Sequence, residues 1–372
     1  MGIMDTKTRF DIRRTLLVRG SREVPLLAPR GVWLVDGKLL ISDTAQNRVF
    51  IWHRIPEDEY APPDVVLGQE APEAIGRNAG GAVSASTLLY PSGLWSDGRR
   101  LIVADAWNHR VLIWHSFPTR HGQPADVVVG QRDFTTNTPN TGIGSAPTAH
   151  TLHWPYGVHS DGTRLWIADT GNRRVLFYET IPEDNYAAAA GVIGKPSMTE
   201  RDYEPHQPVW PYSVRVSPDG RMAIADTQYY RVLLWKDWRR GLDYQRADVV
   251  IGQPDFESCG QNQYLPHPDA HTLNWCYDSF FYGEGLWVVD AGNSRLLWFE
   301  PIPEQNNARA SFLLGQKDFT MGGEHLESIS GAVDCFYWPF AVCIEGRYMA
   351  IADTGNHRIV VHEMEGLQNT DE

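Results

Sequence analysis

A six-bladed β-propeller, all-β and built of four-stranded antiparallel blades, is the architecture expected of this 372-residue chain. Three features carry that expectation. One phrase recurs six times, each repeat breaks into four short apolar runs, and the N-terminus holds a spare run that the last repeat lacks.

The phrase reads "ISDTAQNRVFIWH" around Asp43, "VADAWNHRVLIWH" around Asp105, "IADTGNRRVLFYE" around Asp169, "IADTQYYRVLLWK" around Asp226, "VVDAGNSRLLWFE" around Asp290 and "IADTGNHRIVVHE" around Asp353. Arginine follows each aspartate after four residues, at Arg48, Arg110, Arg174, Arg231, Arg295 and Arg358. Successive aspartates lie 62, 64, 57, 64 and 63 positions apart. A constellation present in every repeat answers a structural need felt once per repeat, not the need of one catalytic centre.

Within a repeat, the second unit (Leu89 to Gln131) is representative. "YPSGLWSDGRR" runs extended from Pro91 and reverses at Ser96-Asp97-Gly98, where Asp and Gly favour a tight turn. "LIVADAWNHR" is a second short strand ending at Asp105, "RVLIWHSF" begins a third, and "ADVVVGQ" makes a fourth. None of these runs has room for a helix. The fourth strand recurs as "DVVLGQ", "AGVIGK", "DVVIGQ" and "SFLLGQ", continuous apolar runs expected to be covered on both faces. Repeated radially, such four-stranded units bury their faces against one another as propeller blades.

The ends predict closure. The last unit has no fourth run, whereas "RTLLVRG" precedes the first, so residues from about Thr15 to Val18 are expected to complete the final blade. One domain spanning 1–372 results, with residues 1–11 and 364–372 as tails.

Between Asp and Arg the chain must reverse. Gly171, Gly292 and Gly355 are candidates for positive φ, and Asn47, Asn108, Asn172, Asn293 and Asn356 tolerate the left-handed region better than most residues. The carboxylate is expected to accept turn N–H groups while the arginine fork ties it to the same turn or the next blade. His109 and His357, inside the phrase, inherit this structural role.

Composition narrows the function. A formal charge of −13 opposes a broad nucleic-acid or anionic-membrane surface, which requires clustered Lys and Arg. The N-terminal "MGIMDTKTRFDIRRTLLVRG" has no apolar stretch of signal-peptide length, and no run is long enough to span a bilayer, so the chain reads as soluble and cytoplasmic. "MGIMDT" fits a myristoylation pattern at Gly2 only weakly. Cys259, Cys276, Cys335 and Cys343 form no close pair and read as free thiols.

The repeats resemble the NHL-repeat family, with its P-x-G start and A-D-T-x-N-x-R turn. Pro155-Tyr156-Gly157-Val158 with "LWIADTGNRRV" and Pro339 with "MAIADTGNHRI" match closely, and the resemblance covers about residues 28 to 362. It implies a propeller fold and leaves function open, since NHL-type propellers include RNA-binding and protein-binding modules, sensor domains, and relatives that are metal-dependent lyases or hydrolases. Two units depart from the pattern: Tyr230 replaces the consensus Asn in the fourth, and Cys276 and Asp278 replace the early Pro and Gly in the fifth.

Propeller connectivity places five long segments, 69–90, 131–154, 195–210, 253–275 and 316–338, on one face together with the Asp-to-Arg turns. Loops of that length are usually functional or packed as caps, so this is the expected working face. Each ends in an aromatic residue, Tyr90, Trp154, Trp210, Trp275 or Trp338, with Ala28 as the exception. Two positions on stand Tyr156, Tyr212, Tyr277 and Phe340, with Ser92 and Arg30 in the other units. These aromatics and Arg30 are the candidate binding residues, against the competing reading that they wedge blades apart.

No nucleophile elbow, phosphate loop or calcium loop is present. His150 and His271 occupy equivalent points in "HTLHW" and "HTLNW", with His153, His206, His267 and His325 in the same class of loop. The family's enzymes imply zinc held by histidines of different blades, so His150 and His271 are the weak metal candidates; no cofactor is otherwise indicated. The preferred expectation is a non-enzymatic interaction or scaffold propeller with a protein partner, as an accessory factor of a larger enzyme. The alternative is a metal-dependent lyase or hydrolase acting at the channel mouth, where a small-molecule ligand would also sit.

Overall fold

Short β-branched and aromatic runs, cut by Gly, Pro and Asp turns, favour pairing with their sequence neighbours, the N-terminal run excepted. They do so in a computed structural model that describes residues 10–327 and 332–365. Its strands form six separate four-stranded antiparallel sheets. Blade 1 is Gly31–Val35, Lys38–Asp43, Arg48–Trp52 and Val65–Leu67. Blade 2 is Pro91–Ser96, Leu101–Asp105, Arg110–Trp114 and Val127–Val129. Blade 3 is Pro155–Ser160, Leu165–Asp169, Arg174–Tyr178 and Gly191–Ile193. Blade 4 is Pro211–Val216, Met222–Asp226, Arg231–Trp235 and Val249–Ile251. Blade 5 is Cys276–Tyr282, Gly285–Asp290, Arg295–Phe299 and Phe312–Leu314.

Blade 6 supplies Pro339–Glu345, Tyr348–Asp353 and Arg358–Glu365, and its outer strand is the N-terminal Asp11–Val18. The register runs from Asp11 opposite Glu365 to Val18 opposite Ile359. Closure therefore occurs as expected, with a longer strand than the apolar run alone indicates. Phe10, also buried, packs against Trp287, Trp298 and Phe312 at centroid distances of 5.1, 5.2 and 5.7 Å. The tails are thus shorter than expected at their inner ends: Asp11, Met364 and Glu365 are strand residues of the last blade, and Phe10, just ahead of it, packs on blade 5. Gly2 and the rest of both tails lie outside the described residues.

Inner strands of consecutive blades touch all the way round, blade 6 against blade 1 included. Outer strands are fully covered in blades 1, 2 and 4 but half-exposed in most of blade 3 and all of blade 5, where continuous burial was expected. The only α-helix among the described residues is the single turn Arg239–Leu242.

The recurring phrase is a buried clamp. Each Asp lies directly opposite its Arg across the second and third strands, joined by a 3₁₀ turn such as Thr170–Asn172. In blade 3, Asp169 Oδ2 accepts from Arg174 Nε at 2.7 Å and Asn172 Nδ2 at 2.7 Å, while Oδ1 accepts the His153 N–H at 2.7 Å. Arg174 Nη2 then donates to the Thr148 and Thr151 carbonyls of the arriving loop, and Nη1 to the Met198 carbonyl of the departing one. Arginine therefore staples two successive inter-blade loops. The same pattern holds at Arg48, Arg110, Arg231 and Arg295.

Backbone geometry corrects the expected glycine and asparagine roles. The left-handed residue is the one directly before Arg: Asn47, His109, Arg173, Tyr230, Ser294 and His357, with φ of 49–57°. Gly171, Gly292 and Gly355 do not take positive φ; a Cβ there would lie 2.7–2.8 Å from the carbonyl of His153, Asn274 or Tyr337. Asn108, Asn172, Asn293 and Asn356 sit inside the 3₁₀ turn and bond the aspartate. Counted from its Asp, the fourth unit's replacement for that asparagine is Tyr229, and Tyr230 is the left-handed residue.

Candidate functional site

The long-loop face is assembled from these turns. The left-handed residue of one blade accepts, through its side chain, the backbone N–H at the start of the next inner strand. Asn47 Oδ1 takes Tyr90 at 3.1 Å, His109 Nδ1 takes Trp154 at 3.1 Å and His357 Nδ1 takes Ala28 at 3.1 Å. His109 and His357 are thus inter-blade ties. Burial, then the neighbouring His153, pushes the His109 pKa down to about 4, which keeps Nδ1 free to accept. Ala28, Tyr90, Trp154 and Trp338, whose N–H groups are tied in this way, are left-handed, and so is Trp275.

Trp210 is not left-handed, and its predecessor in the scheme is Arg173, a side chain with no acceptor. The Trp210 N–H goes to Asp226 Oδ1 at 2.6 Å instead. The junction between blades 3 and 4 departs in three further ways. In blades 1, 2, 4 and 5 a glutamine after the fourth strand (Gln69, Gln131, Gln253, Gln316) clamps two loop carbonyls, whereas blade 3 has Lys195. Lys195 is 3% exposed, its Nζ has no hydrogen-bond partner, and burial, followed by Arg173, lowers its pKa to about 8. Elsewhere, loop asparagines pair reciprocally with turn asparagines: Asn78 with Asn108, Asn140 with Asn172, Asn262 with Asn293. The shorter 195–210 loop has no such residue, and Tyr229 stands where its partner would be.

At the pole the second aromatic set closes over the axis. Tyr156 and Tyr212 stack at 4.7 Å and 11°, Tyr277 and Phe340 at 3.9 Å and 16°, and Tyr212 meets Tyr277 edge-on at 4.7 Å. Tyr212 Oη also reaches Ser92 Oγ at 3.3 Å and Arg30 Nη1 at 3.5 Å, so one side chain spans to blades 1 and 2. The Arg30 guanidinium lies over Phe340 at 4.3 Å and Tyr90 at 4.9 Å. Beneath this lid the axial void is only about 20 Å³, space for one water at most. These rings are packing below and surface above: Trp154 is 36% exposed, as is Trp107 at 39%, which stacks on Tyr90 at 4.5 Å.

Below the lid, Asp278 finds its purpose. Replacing the glycine of blades 1 to 3, it pairs with Arg215 of blade 4, Oδ2 accepting Nη2 at 2.7 Å and Oδ1 accepting Nε at 3.0 Å. Arg215 packs against Trp33 and Phe280, so three blades meet on this ion pair.

The metal candidates do not converge. His150 Nδ1 lies 2.7 Å from the Tyr186 carbonyl and His271 Nδ1 2.8 Å from the Asn307 carbonyl, each tying a long loop to an outer connection of its own blade. Among the described residues no three His, Cys, Asp or Glu side chains gather as a metal site. Sequence reading also passed over a recess of about 650 Å³ on the opposite face, walled by Arg221, Phe280, Phe281, Tyr282, Ile302 and Glu304. Its signal, the "SFFYGEG" hairpin of blade 5, is too short to stand out from an ordinary turn.

No family profile and no curated protein sequence matches the chain. Solved structures do. A structural-genomics protein of unknown function from Bacteroides thetaiotaomicron aligns at TM-score 0.54 and 13% identity, over 94% of this chain and 76% of that one. An auxiliary nutrient binding protein from the same organism aligns at TM-score 0.53 and 10% identity, over 94% and 76%. Virginiamycin B lyase from Staphylococcus aureus aligns at TM-score 0.49 and 11% identity, over 94% and 99%. At such identities the likeness concerns fold alone. Fold and neighbours together define a six-bladed β-propeller. No helix among the described residues is long and apolar enough to cross a membrane.

Proposed function

We propose that this chain is an NHL-type interaction propeller, without catalytic activity of its own, that binds a protein partner through its long-loop face as an accessory factor of a larger enzyme. One observation carries the reading: exposed apolar side chains gather on that face. The long loops present Ile75, Ile143, Tyr203, Tyr264, Leu265 and Val333, and Leu27, Trp107 and Trp154 surround the pole. Elsewhere among the described residues only Ile12, Tyr60 and Tyr244 are large, apolar and exposed. Protruding apolar groups around an aromatic centre suit a partner's broad surface. A channel filled by its own side chains leaves little room for a substrate.

Affinity capture from the source organism tests this. The wild-type chain should retain a stoichiometric protein. Ile143→Ser and Tyr264→Ser, at positions 89% and 81% exposed, should weaken retention about tenfold each without altering the melting temperature. Glu304→Gln, on the opposite face, should leave it unchanged. Retention indifferent to both loop variants, or lost with Glu304→Gln, defeats the proposal.

A further inference from the structure

We propose that Arg30 is the receptor for a single carboxylate, presented by the protein partner at the centre of the long-loop face; this deepens the interaction reading and rests on it. The argument begins from how arginines are treated elsewhere in the fold. Arg174 meets one carboxylate and three loop carbonyls, and Arg215 meets both oxygens of Asp278. Arg30 carries the same five donors. Among the described residues its guanidinium has one hydrogen bond, to Tyr212 Oη at 3.5 Å, the outer limit of such a contact, and no carboxylate within salt-bridge distance. A half-buried guanidinium held between two rings gains cation–π attraction, but the ring faces leave its N–H groups without acceptors.

The surroundings are matched to an anion. Burial raises the pKa values of Tyr90, Tyr156 and Tyr277, that of Tyr156 to about 12, so these hydroxyls keep their protons and can donate. Tyr156 Oη already accepts from Trp107 Nε1 at 3.3 Å, which leaves its own proton available. The Arg30 fork and the Tyr156 hydroxyl thus offer donors at the pole that no carboxylate among the described residues takes up.

A carboxylate fits better than a phosphate chain. The equivalent positions in the other blades are Ser92, Tyr156, Tyr212, Tyr277 and Phe340, so the ring holds one cation in a chain of net charge −13. One guanidinium fork matches one carboxylate in two parallel hydrogen bonds, whereas polyphosphates are held by several cations. The flanking Trp107 and Trp154 would cover the ion pair and exclude water once a partner is seated.

The test follows tryptophan fluorescence of the full chain during titration with phenylacetate, its neutral isostere phenylacetamide, and inorganic phosphate. Phenylacetate should saturate, phenylacetamide should not, and Arg30→Met should weaken phenylacetate by about tenfold or more. Arg30→Lys, which keeps the charge and loses the fork, should fall between. Equal binding of acid and amide, tighter binding of phosphate, or an unchanged Arg30→Met affinity would each overturn the proposal. Should Arg30→Met fail to fold, Arg30→Lys decides, and an affinity equal to wild type counts against it. Competition locates the source of the carboxylate: phenylacetate should displace the captured partner. An Arg30-dependent site that does not compete with the partner takes a free small acid, and the partner's share of the proposal falls. Capture that depends on Ile143 and Tyr264 but not on Arg30 refutes the carboxylate while leaving the interaction reading intact. Arg30-dependent acid binding with capture indifferent to the loop variants does the reverse.

Discussion

Arg174 and its five counterparts end buried ion pairs, yet charge is the smaller part of what they do. A buried pair gains little over an apolar pair of equal volume, but the guanidinium also satisfies loop carbonyls that would otherwise be buried unpaired. Arg174→Met should therefore cost about 3–5 kcal/mol in denaturant unfolding, with Asp169 left uncompensated. The double variant Asp169→Asn, Arg174→Met should recover only part, because the carbonyls stay orphaned; full recovery would show that the charge alone mattered. Lys195 is the opposite case, a charge with nothing to clamp. Its folded pKa, about 8, lies below the ordinary lysine value of 10.5. The penalty is thus fully present below pH 8 and fades as pH rises toward 10.5. Lys195→Gln should restore the clamp of the other blades and stabilise by about 1–3 kcal/mol at pH 7, with a smaller gain at pH 10. An equal or larger gain at pH 10 contradicts this account.

Among the elements, the closing strand is tied by a side-chain bond as well as its ladder. Thr15 Oγ1 lies 2.9 Å from His362 Nδ1, and burial, followed by Arg358, lowers the His362 pKa to about 4. The unfolded chain takes up this proton near pH 6.5 and the folded chain only near 4, so stability is complete above about 6.5 and declines as pH falls toward 4. For one such group the loss is about 3 kcal/mol. His362→Gln should flatten the unfolding free energy between pH 7 and pH 4 by about that amount, and an unchanged slope would exclude His362 as its source. The strands themselves were legible in sequence because the Asp-to-Arg phrase fixes register once per repeat and the spare "RTLLV" run announces closure. The turn interior was less so. Its left-handed site takes Asn47, His109, Arg173, Tyr230, Ser294 and His357, because an N–H tie from the next blade, or the turn itself, outweighs intrinsic preference. The Arg215–Asp278 pair was legible only as an oddity at Asp278, since contacts between blades leave no spacing to read. The same blindness hid the meeting of Tyr212 with Arg30 over the axis.

At the scale of the whole molecule, the ring has no end except the one Asp11–Val18 conceals. Every inner strand is wedged by two neighbours, so an opening at blade 6 exposes that blade and loosens the contacts of blades 5 and 1. The closing segment buries Phe10, Leu16 and Val18, at 6%, 9% and 0% exposure, and covers Ile359 and Val361. Burying three such side chains is worth about 5–9 kcal/mol, comparable with the entire net stability of a typical domain. Deleting residues through Val18 would also leave Arg358–Glu365 as an open apolar edge able to pair with another molecule. The truncated chain should therefore melt at a lower temperature and over a broader range than the full chain, and elute as larger assemblies than the full chain in size-exclusion chromatography with light scattering. A synthetic peptide covering Phe10 to Gly20, added in excess, should restore the elution and the sharp transition of the full chain by refilling the vacant place in blade 6. A truncated chain that elutes and melts like the full one would mean that the wedging of inner strands alone keeps the ring shut.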